Sequence, residues 1–281
     1  MNSIFVSAIH KSSGKTVVSI GLTGAIQKCG KSVQNFKKGP DYIDPLWLSY
    51  ASKKTCRTLD FHLMTNHEIL SEYRQFGGPH DFSIIEGNKG LHDGLDLKGS
   101  DSNAALARLI GAPVVLVIDA RGMTRGIAPL VNGHANFDKN IVIAGIILNF
   151  VGGARHESKL INAIDYYTDT SVVGSISQCN ELNISERHLG LIPSNEIRTP
   201  SKIIKSVSSI ISENVNLDSI MQTAKKFSSK QSDIPKFSES SGNPLVRIAI
   251  ARDKAFGFYY PNDLNMLERE GAEIHYFDAL N

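Results

Sequence analysis

Three short stretches and two single residues of this chain are of types that handle phosphate, divalent metal and activated carboxylates. The first is His10-Lys11-Ser12-Ser13-Gly14-Lys15-Thr16. A loop of small residues can turn the N–H groups of Ser12, Ser13 and Gly14 toward an anion. The Lys15 ammonium adds charge, and the Thr16 hydroxyl is a ligand type for Mg²⁺. The second stretch, Lys37-Lys38-Gly39-Pro40-Asp41-Tyr42-Ile43-Asp44-Pro45, sets two lysines and two aspartates around a Gly-Pro turn. There Asp41 or Asp44 could hold Mg²⁺ directly or through water, and the lysines suit a phosphate or a substrate carboxylate. The plainer alternative is a surface turn in which Asp44 caps a helix that starts at Pro45. The third stretch, Glu86 to Gly94, opens with an acid placed to complete a magnesium shell begun by Thr16. Its glycines, Gly87, Gly90 and Gly94, allow close approach to a ligand. Asp119 also follows an apolar run and competes for the acid's role. Asn149, at the end of another apolar run, carries an amide able to bond adenine nitrogens.

These residues need a scaffold that presents them together. Ile4–Ile9 reads as a buried strand, and an apolar helical stripe begins at Val17, so the Gly14-Lys15-Thr16 triplet opens the first helix. Further strand-like runs fall at Ser32–Phe36, Phe82–Ile85, Pro113–Asp119, Ile141–Asn149 and Ser171–Ile176, with helical spacing at Asn103–Ile110 and His156–Tyr167. Strand and helix alternation with Val/Ile-rich runs predicts an α/β fold, a parallel sheet covered by helices on both faces. In such sheets ligands sit at the carboxyl ends of the strands, where the three stretches, Asp119 and Asn149 lie. The loop departs from the strict P-loop formula, which asks for glycine where Ile9 stands. The deviant form used by partitioning ATPases asks for lysine where His10 stands.

A chain of 281 residues suits one large domain or one and a half. A net charge of +2 gives no electrostatic case for nucleic-acid binding. No run approaches the length of a membrane span, and the N-terminus lacks a signal-peptide pattern. The three cysteines, Cys29, Cys56 and Cys179, lie far apart, which points to a reducing, cytoplasmic setting rather than a disulfide framework. None of the nine histidines has a partner at metal-ligand spacing. Residues 224–244 turn to Lys, Ser, Gln, Pro and Gly, a linker composition that separates a first domain, 1–223, from a last piece, 245–281. That piece reads as strand Leu245–Ala251, helix Pro261–Glu270 and strand Glu273–Phe277, too short to close its own core, so the chain is expected to be a fragment or a truncated product.

The order of segments resembles the cobyrinic acid a,c-diamide synthase family. The resemblance is carried by FKKGPDYIDP, IEGNKGLHDG, SNAALARLIGAPVVLVIDARGMTRGIAPLV, GIILNFVGGARHE and RHLGLIPSNE, and past the linker by IAIARDKAFGFYYPNDLNMLEREGAEIHYF. It implies a P-loop, dethiobiotin-synthetase-like amidoligase domain followed by the truncated start of a class I glutaminase-like α/β domain. It further implies a ligase that uses ATP and Mg²⁺ to amidate two acetate carboxylates of a corrin-type tetrapyrrole, with glutamine or ammonia as nitrogen source. Carried over by position, Gly14, Lys15 and Thr16 match the phosphate loop. Lys37, Asp41 and Asp44 match the segment near nucleotide and substrate, Glu86 the magnesium glutamate and Asn149 the adenine contact.

The chemistry agrees with that set. A carboxylate becomes amidable once a phosphoryl group from ATP makes it an acyl phosphate, and Lys15, Lys37 and Mg²⁺ at Thr16 and Glu86 would neutralise the meeting anions. No residue matches the family's glutaminase cysteine, and Cys179 lies in the synthetase part. HKSSGKT and FKKGPDYIDP look most like the branch that amidates sirohaem, so cobyrinate, hydrogenobyrinate, nickel-sirohydrochlorin and sirohaem all stay open as substrate. A homodimer is compatible with this reading. The alternative from another class is a partitioning-type switch ATPase, against which His10 counts. A further alternative is an inactive relic.

Overall fold

Buried β-branched runs separated by capped helices produce the expected sheet. The computed structural model describes residues 1–179, 186–187, 190–228 and 244–281. Its first part runs β1 (Ser3–Ala8), α1 (Lys15–Lys28), β2 (Val33–Lys38), α2 (Ile43–Ser52), β3 (Arg57–Leu59), α3 (Asn66–Gly77) and β4 (Phe82–Glu86). It continues through α4 (Asn103–Ile110), β5 (Val114–Asp119), α5 (Ile127–Phe137), β6 (Ile143–Val151), α6 (Ala154–Tyr167) and β7 (Val172–Ser177). Two short strands, β8 (Glu186–Arg187) and β9 (Gly190–Leu191), pair antiparallel and precede α7 (Pro200–Asn214) and α8 (Leu217–Lys226). Last come β10 (Val246–Ala251), α9 (Pro261–Arg269) and β11 (Ala272–Phe277).

Seven strands form one sheet in the order β3-β2-β4-β1-β5-β6-β7, and every neighbouring pair is parallel. Side chains alternate between its faces. Ile4, Val6 and Ala8 of β1 join one core with Leu22 of α1, Trp47 of α2 and Val207 and Ile211 of α7. Phe5 joins the other, with Ile69 of α3, Leu106 of α4, Val131 of α5 and Leu160 of α6. Burial on both faces explains why the strands read as continuous apolar runs instead of alternating ones. Among the described residues no helix is long and apolar enough to cross a membrane.

Several boundaries differ from the sequence reading. β2 runs on to Lys38, so Lys37 and Lys38 are strand residues rather than part of the following loop. β3 is a three-residue edge strand with no apolar run to announce it. α2 begins at Ile43, and its first N–H groups are met by Asp41, which accepts from Ile43 N–H at 3.0 Å and Asp44 N–H at 3.1 Å. Asp41, not Asp44, therefore serves the helix start. Ala224–Lys226 of the stretch read as a linker form the last turn of α8, and residues 229–243 of it lie outside the described residues. β10 and β11 pair parallel as a separate two-stranded sheet with α9 beside them.

Helices α1 and α7 approach closely because α1 carries glycines at the contact. A Cβ on Gly21 would lie 2.2 Å from Ile211 Cγ1, and one on Gly24 would lie 1.9 Å from Ser208 Oγ. Replacing Gly21 with Ala gains about 1 kcal/mol of helix propensity but overpacks a buried contact, a cost of about 1–3 kcal/mol. The expected result is a net loss of stability for Gly21→Ala, read as a lower midpoint in urea unfolding. A higher midpoint would show that the helices separate freely.

Candidate functional site

Parallel pairing sets the site's register. Lys37 of β2 and Val6 of β1 both lie opposite Glu86 of β4, so the carboxyl ends of three central strands converge beside the loop that joins β1 to α1. That loop is tightly shaped. Ser12 and Gly14 adopt positive φ, 62° and 89°. The close approach of Asn149 gives Gly14 a second reason to lack a side chain, since a Cβ there would lie 2.2 Å from Asn149 Nδ2. The Ser13 hydroxyl donates inward to His10 O at 2.9 Å, so Ser13 can offer an anion only its backbone. α1 starts at Lys15 with no side-chain cap and no acid in its first turn, which leaves its positive end for an anion.

Lys37 is the centre of the network. Its ammonium, buried, donates to Asp44 Oδ2 at 2.5 Å and Glu86 Oε1 at 2.8 Å and lies 3.5 Å from Asp41 Oδ2. Glu86 Oε1 also accepts from the Thr16 hydroxyl at 2.7 Å. Burial alone would lower the pKa of Lys37, but Asp44, Glu86 and Asp41 hold it well above the usual lysine value. Burial pushes Glu86 up to about 7, with Lys37 pulling it down and Asp44 pushing it further up. Burial also raises Asp41, whereas at Asp44 the pull of Lys37 overcomes burial and holds the carboxyl below its ordinary value. Lys37 is thus a charge already matched, not a free cation for phosphate.

Lys15 is a cation that faces a cavity of about 330 Å³ shared with Thr16, Asp44, Glu86 and Asn149. Burial lowers its pKa to about 8, partly offset by Glu86 and reinforced by Lys37. Lys89, exposed, also lines this cavity, and Ile176, Leu191 and Ile211 give it an apolar wall; sequence reading had singled out none of these four. Lys89 was legible only as one letter of a glycine-rich motif. The apolar wall comes from segments distant in sequence.

The competing acid is otherwise engaged. Asp119 is gripped by Arg121, whose Nη2 donates to Oδ2 at 2.6 Å and Nε to Oδ1 at 3.0 Å, and it does not line the cavity. Asn149 lines the cavity, but its Nδ2 donates to Ser13 O at 2.9 Å. One of its donors thus braces the phosphate loop, while the side chain still lines the cavity. His10 is exposed, with Nδ1 2.6 Å from Lys11 O.

The residues present fit a magnesium ion. Glu86 Oε2 is buried and has no hydrogen-bond partner among the described residues, although Oε1 of the same carboxylate has two. Three carboxylates surround the single Lys37 ammonium, so the pocket tolerates a further cation. No group of three or more His, Cys, Asp or Glu among the described residues could hold a metal by itself.

Fold and loop together define a P-loop nucleotide-binding domain. Residues 4–192 match the model of the CobQ/CobB/MinD/ParA nucleotide binding domain, and the chain belongs to that family. Within it, the chain is 41% identical over 283 residues to a cobyrinate a,c-diamide synthase of Magnetococcus marinus, covering 99% of this chain and 61% of that one. It is 39% identical to the enzyme of the same name from Methanosarcina acetivorans, over 99% of this chain and 59% of that one. It is 38% identical to the one from Picrophilus torridus, over 100% and 63%. The resemblance drawn from the motifs is borne out by these relatives. The chain spans about three-fifths of the length of the relatives it matches. Among solved structures, chloroplast FtsY from Physcomitrella patens covers 73% of this chain and 65% of its own at 12% identity and a TM-score of 0.44, too loose a likeness to bear on function.

The low pKa of Lys15 sets a pH dependence. The ammonium is present below about 8 and is lost as pH rises through that value, so anion binding weakens on the alkaline side. Nucleotide affinity is expected to fall by about tenfold per pH unit above 8, while Lys15→Met binds weakly with no such slope. Calorimetric titrations across that range check this, and equal slopes for both proteins would contradict it.

Proposed function

We propose that this chain is the ATP-dependent amidoligase part of a tetrapyrrole a,c-diamide synthase. It would activate acetate carboxylates of a corrin-type or related macrocycle, with ammonia derived from glutamine in the complete enzyme. The single observation that carries the reading is the arrangement around Glu86, whose one oxygen is held by Lys37 and Thr16 and whose other is buried, without a partner among the described residues, at the edge of the Lys15 loop. Relatives named cobyrinate a,c-diamide synthase supply the substrate class. The segment 245–281 is read as the opening of the glutaminase unit, joined by the stretch 224–244.

Each residue then has a task. The loop from Ser12 to Gly14 and the α1 N-terminus hold the phosphates, and Lys15 offsets the charge of the transferring phosphoryl group. Thr16 and Glu86 would hold Mg²⁺, which when bound neutralises phosphate oxygens. Lys37 keeps Glu86 and Asp44 fixed, and Asp41 and Asp44 order the turn that faces the incoming carboxylate. A carboxylate oxygen attacks the γ-phosphorus and ADP leaves. Ammonia then adds to the acyl carbon, one proton is lost from its nitrogen, and phosphate is expelled. No side-chain nucleophile is required.

The test is incubation with ATP, Mg²⁺ and ammonium against cobyrinate, hydrogenobyrinate, nickel-sirohydrochlorin and sirohaem, followed by mass spectrometry. Each amidation exchanges a hydroxyl for an amino group and lowers the mass slightly, so the spectrum counts sites and names the macrocycle. Wild type is expected to amidate one of the four, and Lys15→Ala none while it unfolds at the same temperature. Undiminished turnover by Lys15→Ala, or no mass change on any macrocycle, would overturn the reading.

A further inference from the structure

The turn that supplies Asp41 and Asp44 has a second face. Asp41 and Asp44 meet Lys37, whereas the intervening Tyr42 directs its ring toward the C-terminal unit. There it stacks on Phe258, with centroids 5.4 Å apart and planes 14° apart, and on Tyr260 at 4.5 Å and 27°. Tyr42 is also the residue immediately before α2, and that helix end has no side-chain cap of its own from Tyr42.

The segment that carries the two rings is fastened elsewhere on the first domain. Asn195 Nδ2 donates to Asp253 O at 3.0 Å. Thr58 N–H donates to Asn262 Oδ1 at 3.4 Å and Asn262 Nδ2 donates to Thr58 O at 3.4 Å, so the side chain of Asn262 covers the backbone of edge strand β3. Arg57 Nη1 donates to Asn265 Oδ1 at 2.5 Å. The segment is also rigid in itself: Asp253 Oδ1 accepts from Ala255 and Phe256 N–H, and the Tyr259 hydroxyl donates to Ala251 O. A braced strap therefore meets one side of the turn while the Lys37 network meets the other.

We propose that Tyr42, Phe258 and Tyr260 are positioning residues, through which the C-terminal unit sets the placement of Asp44, and through Lys37 that of Glu86, at the metal edge of the site. The path is a sequence of direct contacts: Tyr260 and Phe258 on Tyr42, the α2 start from Tyr42 to Asp44, Asp44 to Lys37, Lys37 to Glu86, Glu86 to Thr16. Aromatic rings suit this task, since two stacked faces define both the distance and the tilt of the backbone that bears them. A displacement of the strap is then felt at Glu86 without contact between strap and nucleotide. The inference rests on Thr16 and Glu86 forming the metal edge of a nucleotide site.

A double-mutant cycle tests it. Binding of a non-hydrolysable ATP analogue is measured by calorimetry, with and without Mg²⁺, for wild type, Tyr42→Leu, Tyr260→Leu, the double variant, Tyr260→Phe and Lys15→Ala. Each leucine variant is expected to weaken Mg²⁺-dependent binding by about three- to tenfold and leave metal-free binding unchanged. The double variant is expected to lose no more than Tyr42→Leu alone, because Tyr260 acts through Tyr42, and Tyr260→Phe, which keeps the ring, to bind as wild type. Wild-type affinity for Tyr260→Leu, or additive losses in the double variant, would overturn the proposal while loss of binding in Lys15→Ala leaves the nucleotide site standing. Unchanged binding by Lys15→Ala would instead remove the nucleotide site and the inference with it.

Discussion

A fully buried ammonium, that of Lys37, constrains the rest of the site. Removing an unpaired charge from water costs several kcal/mol, and only close, well-directed partners offset it. Here the partners come from two places: Glu86 at the end of the neighbouring strand β4, and Asp41 and Asp44 at the start of α2. The strand pairing that sets Lys37 opposite Glu86 brings the first together. The Gly39-Pro40 turn brings back the second. Without the lysine, acids would face one another in a buried space, and without the acids the lysine could not stay charged. The pocket's shape and its protonation are therefore one problem, solved by one side chain.

The same arrangement explains why Lys15 and Lys37, alike in sequence, differ in chemistry. Lys37 is compensated and held well above the ordinary lysine pKa. Lys15 is half-compensated at the head of a helix and titrates near 8. One fixes geometry and the other meets the anion. Glu86 Oε2 completes the picture: it is buried with no hydrogen-bond partner among the described residues, which is the observation behind the proposed cation at this edge.

Much of this was legible in the sequence because parallel α/β sheets put their chemistry directly after the strands. The apolar runs located β1, β4, β5 and β6, and the residues at their ends, Lys15, Thr16, Glu86 and Asn149, do meet on one cavity. What misled the reading was interaction at a distance. Lys37 and Lys38 looked like loop residues because charged side chains rarely lie inside a central strand; partners on β4 and at the start of α2 make the burial of Lys37 tolerable, and Lys38 donates to Asn88 Oδ1 at 3.2 Å. Asp119 competed with Glu86 as a strand-terminal acid, and its engagement by the Arg121 fork could not be read from the sequence. Asn149 carries a task that no spacing announces, since its Nδ2 also donates to Ser13 O and so ties the end of β6 to the phosphate loop. Strand β3 could not be read at all, because three residues with no apolar run leave no periodicity.

The central claim is that Glu86, oriented by Lys37, is the carboxylate that meets magnesium beside the Lys15 loop. A crystal structure of the chain with Mg²⁺ and a non-hydrolysable ATP analogue tests it most directly. The account predicts Mg²⁺ bound by the Thr16 hydroxyl and a β- or γ-phosphate oxygen, with Glu86 Oε2 in its shell directly or through one water, and Lys37 still on Oε1. A metal held by Asp119 after release of Arg121, with Glu86 remote from it, would contradict the account.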